Sequence, residues 1–232
     1  TLSLGVPSFC LQAEDPVENP VQLLEWEQLP QIPGGVGFAG PFAGLLADRL
    51  VVVGGANFPD SPIWETDKHW YGEIHSLDLR RPEQGWITSA TTLEPRAYGL
   101  SVSHPELGFF LIGGSDGTRH HGDLRRFTPG DPDSLTPVSL DRSLPVPVAY
   151  GASVLVGDTV YVVGGTSIAG AVTASPMIHA LDLRAVVEAS NKGEDLPQWV
   201  EIEPIPGSSG RMLPVTGSHG GSLYVFGGCS LQ

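Results

Sequence analysis

The chain has 232 residues, with 30 Gly, 21 Pro, 41% hydrophobic residues and a formal net charge of −14. That apolar share is enough for one or two cored domains, and the clustering of Val, Leu and Ile into short blocks argues against general disorder. No apolar run approaches the ~18 residues of a membrane span, Gly has no collagen-like three-residue period, and an acidic chain with two Lys residues offers no phosphate-binding footprint for nucleic acid.

In chain order, Thr1 opens a segment in which Leu2 to Leu11 is mildly apolar and is followed by Gln12-Ala13-Glu14. Residues 1–22 read either as the remnant of a signal peptide cut after Ala13, which would place the protein in the periplasm or outside the cell, or as a disordered leader. Leu24-Glu-Trp-Glu-Gln-Leu29 reads as the outermost strand of a blade, around Trp26. From there to residue 232 one pattern repeats. Four apolar blocks end in paired glycines: Arg49-Leu-Val-Val-Val-Gly-Gly55, Gly108-Phe-Phe-Leu-Ile-Gly-Gly114, Thr159-Val-Tyr-Val-Val-Gly-Gly165 and Ser222-Leu-Tyr-Val-Phe-Gly-Gly228. Each block is too short for a helix and suits a buried strand. The glycines stop it and let backbone pass close to backbone. A small-residue strand precedes each block (Gly40 to Gly44, Arg96 to Leu100, Val148 to Ala152, Leu213 to Gly217). An alternating strand follows the first three (Glu73 to Leu79, Asp123 to Phe127, Ile178 to Leu183), then Trp86-Ile, Thr136-Pro-Val or Trp199-Val.

Four short strands per unit predict an all-β fold of the β-propeller type, with blades at about 36–93, 96–144 and 147–205 and half a blade at 211–228. Small residues suit the crowded innermost strand, and the tryptophan suits the outer one, where it can cover a seam between blades. The single expected helix is a short connector around Arg184–Ala189. Either the Trp26 strand closes a ring of four blades, or residues 23–232 are part of a larger ring; the second is expected, because the sequence stops four residues after a Gly-Gly where the other units continue. Open sheet faces would then favour self-association.

Paired glycines, a later aromatic and a period of about 50 residues resemble kelch repeats over residues 24–228. Gly35-Val-Gly-Phe-Ala-Gly-Pro-Phe-Ala-Gly44 with Val51-Val-Val-Gly-Gly-Ala-Asn-Phe-Pro-Asp-Ser-Pro62, and Glu94-Pro-Arg-Ala-Tyr-Gly99 with Phe110-Leu-Ile-Gly-Gly114, resemble more narrowly the N-acetylneuraminate epimerases, or sialic acid mutarotases, in their cyclically permuted branch. The resemblance implies a six-bladed kelch propeller. Its members interconvert the α and β anomers of N-acetylneuraminate through an open-chain keto form, by acid/base chemistry and without a cofactor. No segment of this sequence matches the family's proposed catalytic Glu and Arg, and neither position is carried over. An isomerase of this type is therefore one expectation. A non-catalytic kelch propeller that binds a protein or a carbohydrate is the other.

For a sugar acid, a guanidinium can hold the carboxylate with two parallel hydrogen bonds. Arg96, at the head of a predicted inner strand, is the first candidate; bracing a loop or pairing with Glu94 accounts for it equally well. Arg211 takes the matching place in the fourth unit. Ala56 to Trp70 is the longest polar insertion between strands, and long loops on rigid scaffolds often carry function. There Asn57 is a candidate substrate contact, Glu65 and His69 with Lys68 are candidates for proton transfer, and Trp64 or Trp70 for stacking on a sugar. An ordered surface loop with its aromatics tucked down is the alternative. Tyr98 and Tyr150, in matching Ala-Tyr-Gly phrases, read as packing residues. His120-His121 near Asp116 and Asp123 reads as a solvated turn, and Asp131-Pro-Asp133 lacks the Gly and terminal Glu of a calcium loop. Cys10 and Cys229 form neither a disulfide framework nor a metal set, and Cys229 reads as a packed thiol. Neither metal nor cofactor is expected, and a copper oxidase on this fold would need a cysteine–tyrosine–histidine set not visible here.

Overall fold

The computed structural model describes residues 25–231 apart from 36, 61–64 and 208. The leader at 1–22, Cys10 and Trp64 lie outside the described residues. Three antiparallel four-stranded sheets follow one another along the chain, each ordered as its strands occur. They are β1 to β4 (Phe42–Leu46, Arg49–Asn57, His69–Asp78, Trp86–Thr92), β5 to β8 (Leu100–His104, Gly108–Ser115, His120–Phe127, Val138–Leu140) and β9 to β12 (Ala152–Val156, Thr159–Val163, Ile178–Asp182, Val200–Ile202). A two-stranded sheet, β13 (Val215–His219) with β14 (Ser222–Phe226), comes fourth. The innermost strands are neighbours: β1 lies beside β5, β5 beside β9, and β9 beside β13. The sheets therefore fan out as blades around one axis, as a propeller does.

Three backbone-level ties repeat at each seam. First, the glycine doublets. Gly54, Gly113 and Gly164 sit at φ +64°, +65° and +66°, a left-handed conformation that costs a side-chain-bearing residue about 1–2 kcal/mol. The strand register shifts there, for example between Val53 and Gly55. The following N–H then crosses to the next blade: Gly55 donates to the Arg96 carbonyl at 2.9 Å, Gly114 to Val148 at 2.8 Å, and Gly165 to Arg211 at 2.7 Å. A Cβ on the first glycine of each of these three doublets would stand 2.3 to 2.4 Å from that same carbonyl, so no side chain fits.

Second, Gly40, Tyr98, Tyr150 and Leu213 all adopt φ between +53° and +59°. Each links to the one before: Tyr98 N–H donates to Gly40 at 2.7 Å, Tyr150 to Tyr98 at 2.8 Å, and Leu213 to Tyr150 at 2.6 Å. Third, the inner strands are laced by hydroxyls. Ser101 donates to the Ala43 carbonyl at 2.9 Å, Ser153 to Ser101 at 3.0 Å, and Thr216 to Ser153 at 2.9 Å.

The space between blades is filled by the apolar strand faces. Phe42, Val51, Val53 and Ile74 pack with Phe109, Leu111 and Phe127, while Phe110, Ile112 and Leu124 share a second cluster with Val160, Val162 and Leu181. Trp199 closes the outside of that second seam, donating to the Arg142 carbonyl at 3.5 Å; Trp86 donates to Pro30 at 2.8 Å. The connector helix α1 (Leu183–Lys192) is longer than its sequence suggested. The Asp182 side chain caps its start, and Gly193, left-handed at φ +68°, ends it.

Two expectations are corrected. Residues 25–30 form no strand, and Trp26 is 90% exposed, because no described strand lies alongside for it to pair with. Cys229 is exposed rather than packed; its Sγ meets only the Met212 carbonyl at 3.7 Å, and none of the described residues covers it. No helix among the described residues is long and apolar enough to cross a membrane.

Candidate functional site

The repeat supplies its own controls. The pairs Val53 with Ile74, Ile112 with Leu124 and Val163 with Ile178 set the three blades in one register. Phe38, Arg96 and Val148 then stand at equivalent positions at the head of each blade, and Glu73, Asp123 and Met177 stand opposite them. A blade needs only packing there, and the third blade has it from Val148 and Met177. The second is charged instead, around a cavity of about 430 Å³.

Arg96 forms the floor of that cavity. It is 4% exposed, and donates to Asp123 Oδ1 at 2.7 Å, with Glu94 at 3.7 Å. Its Nε has no hydrogen-bond partner among the described residues. Arg125 donates to Asp123 Oδ2 at 2.7 Å and reaches Glu94 at 2.9 Å. Burial pushes the Asp123 carboxyl up, but hydrogen bonds and charge from Arg125 and Arg96 outweigh it and hold the group below the ordinary carboxylate range.

The β6–β7 turn supplies the opposite wall. Asp116 Oδ1 accepts the backbone N–H groups of Thr118 and Arg119, both at 2.9 Å, which fixes the turn. Its Oδ2 accepts His121 Nε2 at 3.0 Å and faces Arg119 Nε at 3.5 Å. Burial raises the Asp116 carboxyl; the bonds from Thr118, Arg119 and His121 more than reverse this and leave it ionised well below its usual pKa. Arg119, three-quarters exposed, stands at the mouth.

The adjacent histidines point apart, as alternate strand residues must. They lie on β7, however, not in a solvated turn. His120 is buried, with Nε2 3.0 Å from the Thr166 hydroxyl, Nδ1 without a hydrogen-bond partner among the described residues, and its pKa lowered by burial. Beside it, Tyr150 stacks on Tyr98 with ring centroids 4.6 Å apart. Trp70 meets Tyr98 edge-on, and Lys68 Nζ donates to the Tyr98 hydroxyl at 2.5 Å.

The other sequence candidates are scattered. Asn57 lines a separate cavity of about 280 Å³ on the first blade, donating to the Gly37 carbonyl and accepting from the Tyr71 hydroxyl. Glu65, on the first-blade loop, and His69, at the start of β3, are exposed and do not line the charged cavity. Arg211 is half-buried at the third seam, where its backbone N–H donates to Ser175 and its carbonyl accepts Gly165. Of the sequence candidates, Arg96 alone stands in the charged cavity. Its companions Asp116, Arg119, His121, Asp123 and Arg125 were not anticipated as a site. Lining up the units on their glycine doublets would have exposed them, since Arg96 and Asp123 break the pattern set by Val148 and Met177. No group of three His, Cys, Asp or Glu side chains suited to a metal occurs among the described residues.

No family model matches the chain. It is similar in sequence to proteins named N-acetylneuraminate epimerase. That of Yersinia enterocolitica is 32% identical over 114 residues (40% of this chain, 27% of the relative), that of Salmonella arizonae 34% over 106 residues (40% and 26%), and that of Pasteurella multocida 37% over 86 residues (37% and 18%). The chain thus spans about a quarter or less of the length of the curated relatives it matches. In fold it is similar to the solved structure of YjhT, with a TM-score of 0.64 at 16% identity, over 86% of this chain and 61% of that one.

Proposed function

We propose that the protein takes part in mutarotation of a carboxylated sugar of the N-acetylneuraminate type, at the charged cavity of the second blade. The observation that carries the reading is the His121–Asp116 pair beside Arg119 and Arg125, in a blade that has Arg96 and Asp123 where the third blade has Val148 and Met177. Proteins named N-acetylneuraminate epimerase among the sequence relatives support the choice of sugar. The cavity volume falls within the ~300–1,000 Å³ typical of small-molecule sites.

Arg119 and Arg125 face the mouth and take the carboxylate; Arg96 holds Asp123, and through it Arg125, in place. Asp116 orients His121, as a carboxylate orients a general base. The imidazole accepts the anomeric hydroxyl proton, the anomeric carbon becomes a ketone as its bond to the ring oxygen breaks, and that oxygen takes a proton from water at the mouth. Reclosure on either face of the ketone completes the exchange. The leader residues add an expected location in the periplasm or outside the cell.

The test is α-to-β exchange of N-acetylneuraminate followed by NMR. The protein should accelerate exchange over buffer, and His121→Gln should remove the acceleration. Exchange at the buffer rate with the unsubstituted chain would overturn the proposal.

A further inference from the structure

The tyrosine pair beside the cavity does something the architecture does not ask of it. The left-handed position that carries the blade-to-blade backbone bond is Gly40 in the first unit and Leu213 in the fourth, so that bond needs no aromatic ring. Trp70 is likewise unrepeated: His120 and Ala174 stand at the same register in the next two blades. Yet these side chains converge. Tyr98 and Tyr150 stack with planes 25° apart, Trp70 stands edge-on to Tyr98 at 5.9 Å, and the Lys68 ammonium lies 4.3 Å from the Tyr98 centroid and 5.0 Å from that of Trp70. All four are half-exposed. Trp70 also covers Gly117 in the turn that holds Asp116; a Cβ there would come within 2.9 Å of the indole. His120 touches Tyr150 from one side and lines the cavity on the other. His120 is thus shared by the aromatic cluster and the cavity wall.

We infer that Lys68, Trp70, Tyr98 and Tyr150 form a stacking subsite for the ring of the sugar whose charged end enters the cavity. Pyranose C–H groups pack on aromatic faces, which bury apolar area without demanding hydrogen bonds. An ammonium has three donors. One goes to the Tyr98 hydroxyl, and the other two are available to sugar oxygens. The inference rests on the sugar reading above and extends it to how the ring is held.

Saturation-transfer NMR with the full chain and N-acetylneuraminate tests it. Irradiating the aromatic protons should saturate the sugar's ring protons, and Trp70→Leu should weaken that transfer. Lys68→Met, which keeps the aliphatic stem, should weaken binding roughly tenfold, the size expected for a lost charged hydrogen bond, and Lys68→Arg should recover part of it. Unchanged affinity in Lys68→Met and Trp70→Leu, or transfer to the acetyl methyl alone, would overturn the subsite while leaving mutarotation standing. Lys68-dependent binding without anomer exchange would support the subsite and remove the mutarotase. Absence of any binding would remove both.

Discussion

The Arg96 guanidinium is bonded to the Asp123 carboxylate at 2.7 Å, at a place where the next blade holds Val148 and Met177. Taking charges out of water is costly, and such a pair is often no better for stability than the apolar residues that could replace it. Asp123→Ala should leave Arg96 with the more distant Glu94 and a long bond to the Gly113 carbonyl, and lose about 3 kcal/mol in urea unfolding. The double change Arg96→Val with Asp123→Met should hold or raise stability while sugar-acid binding disappears. A double variant as unstable as Asp123→Ala would mean that the charges serve the blade itself.

The glycine doublets separate two costs. Gly157 has φ +60° with nothing within 4 Å of a built Cβ, whereas Gly113 has φ +65° with the Val148 carbonyl at 2.4 Å. Gly157→Ala should cost about 1 kcal/mol, from backbone conformation alone. Gly113→Ala should cost that and a further ~1–3 kcal/mol for forcing two blades apart. Equal midpoint shifts on thermal unfolding would refute the inter-blade role of the doublet.

The hydroxyl lacing of the inner strands predicts a modest, local effect. Ser153 both donates to Ser101 and accepts from Thr216, so it serves two seams. Its hydroxyl makes the first bond and its carbonyl the second. Ser153→Ala should therefore lose a single bond, about 1 kcal/mol. Hydrogen exchange should quicken at the β5–β9 seam and stay as in the unsubstituted chain at β9–β13.

Acid should weaken the fold in two windows. Burial lowers the pKa of His75, His120 and His179, so below the ordinary value of 6.5 the unfolded chain binds more protons than the native one. Stability present above pH 6.5 is therefore lost as pH falls towards the folded-state values. Asp158 behaves as a salt-bridged carboxylate. Bonds from Arg184 and His104, at 2.7 and 2.8 Å, hold it at about 2 against an ordinary 3.8, so its contribution persists above about pH 4 and disappears as pH falls through 2. Thermal midpoints measured from pH 8 to pH 2 should fall in both ranges. His75→Gln should shrink the first decline, and Asp158→Asn the second. A flat midpoint between pH 7 and pH 5 would contradict the histidine assignment.

The sequence alone determined the strands, their grouping in fours and the order of the blades. Alternation along a strand and glycines at its end are local consequences of backbone geometry, and they repeat. It also marked Arg96, because that residue stands at a repeated place. Only the tertiary structure decided what Arg96 meets. Asp123 comes from the third strand of the same blade, 27 residues on, and Asp116 from a turn 20 residues on, and only the folding of that blade brings these carboxylates to the guanidinium. Lys68 likewise finds Tyr98 across 30 residues and a blade boundary. Trp26 shows the reverse: its pattern suits a strand, but a strand needs a neighbour's hydrogen bonds, and the described residues place none beside it.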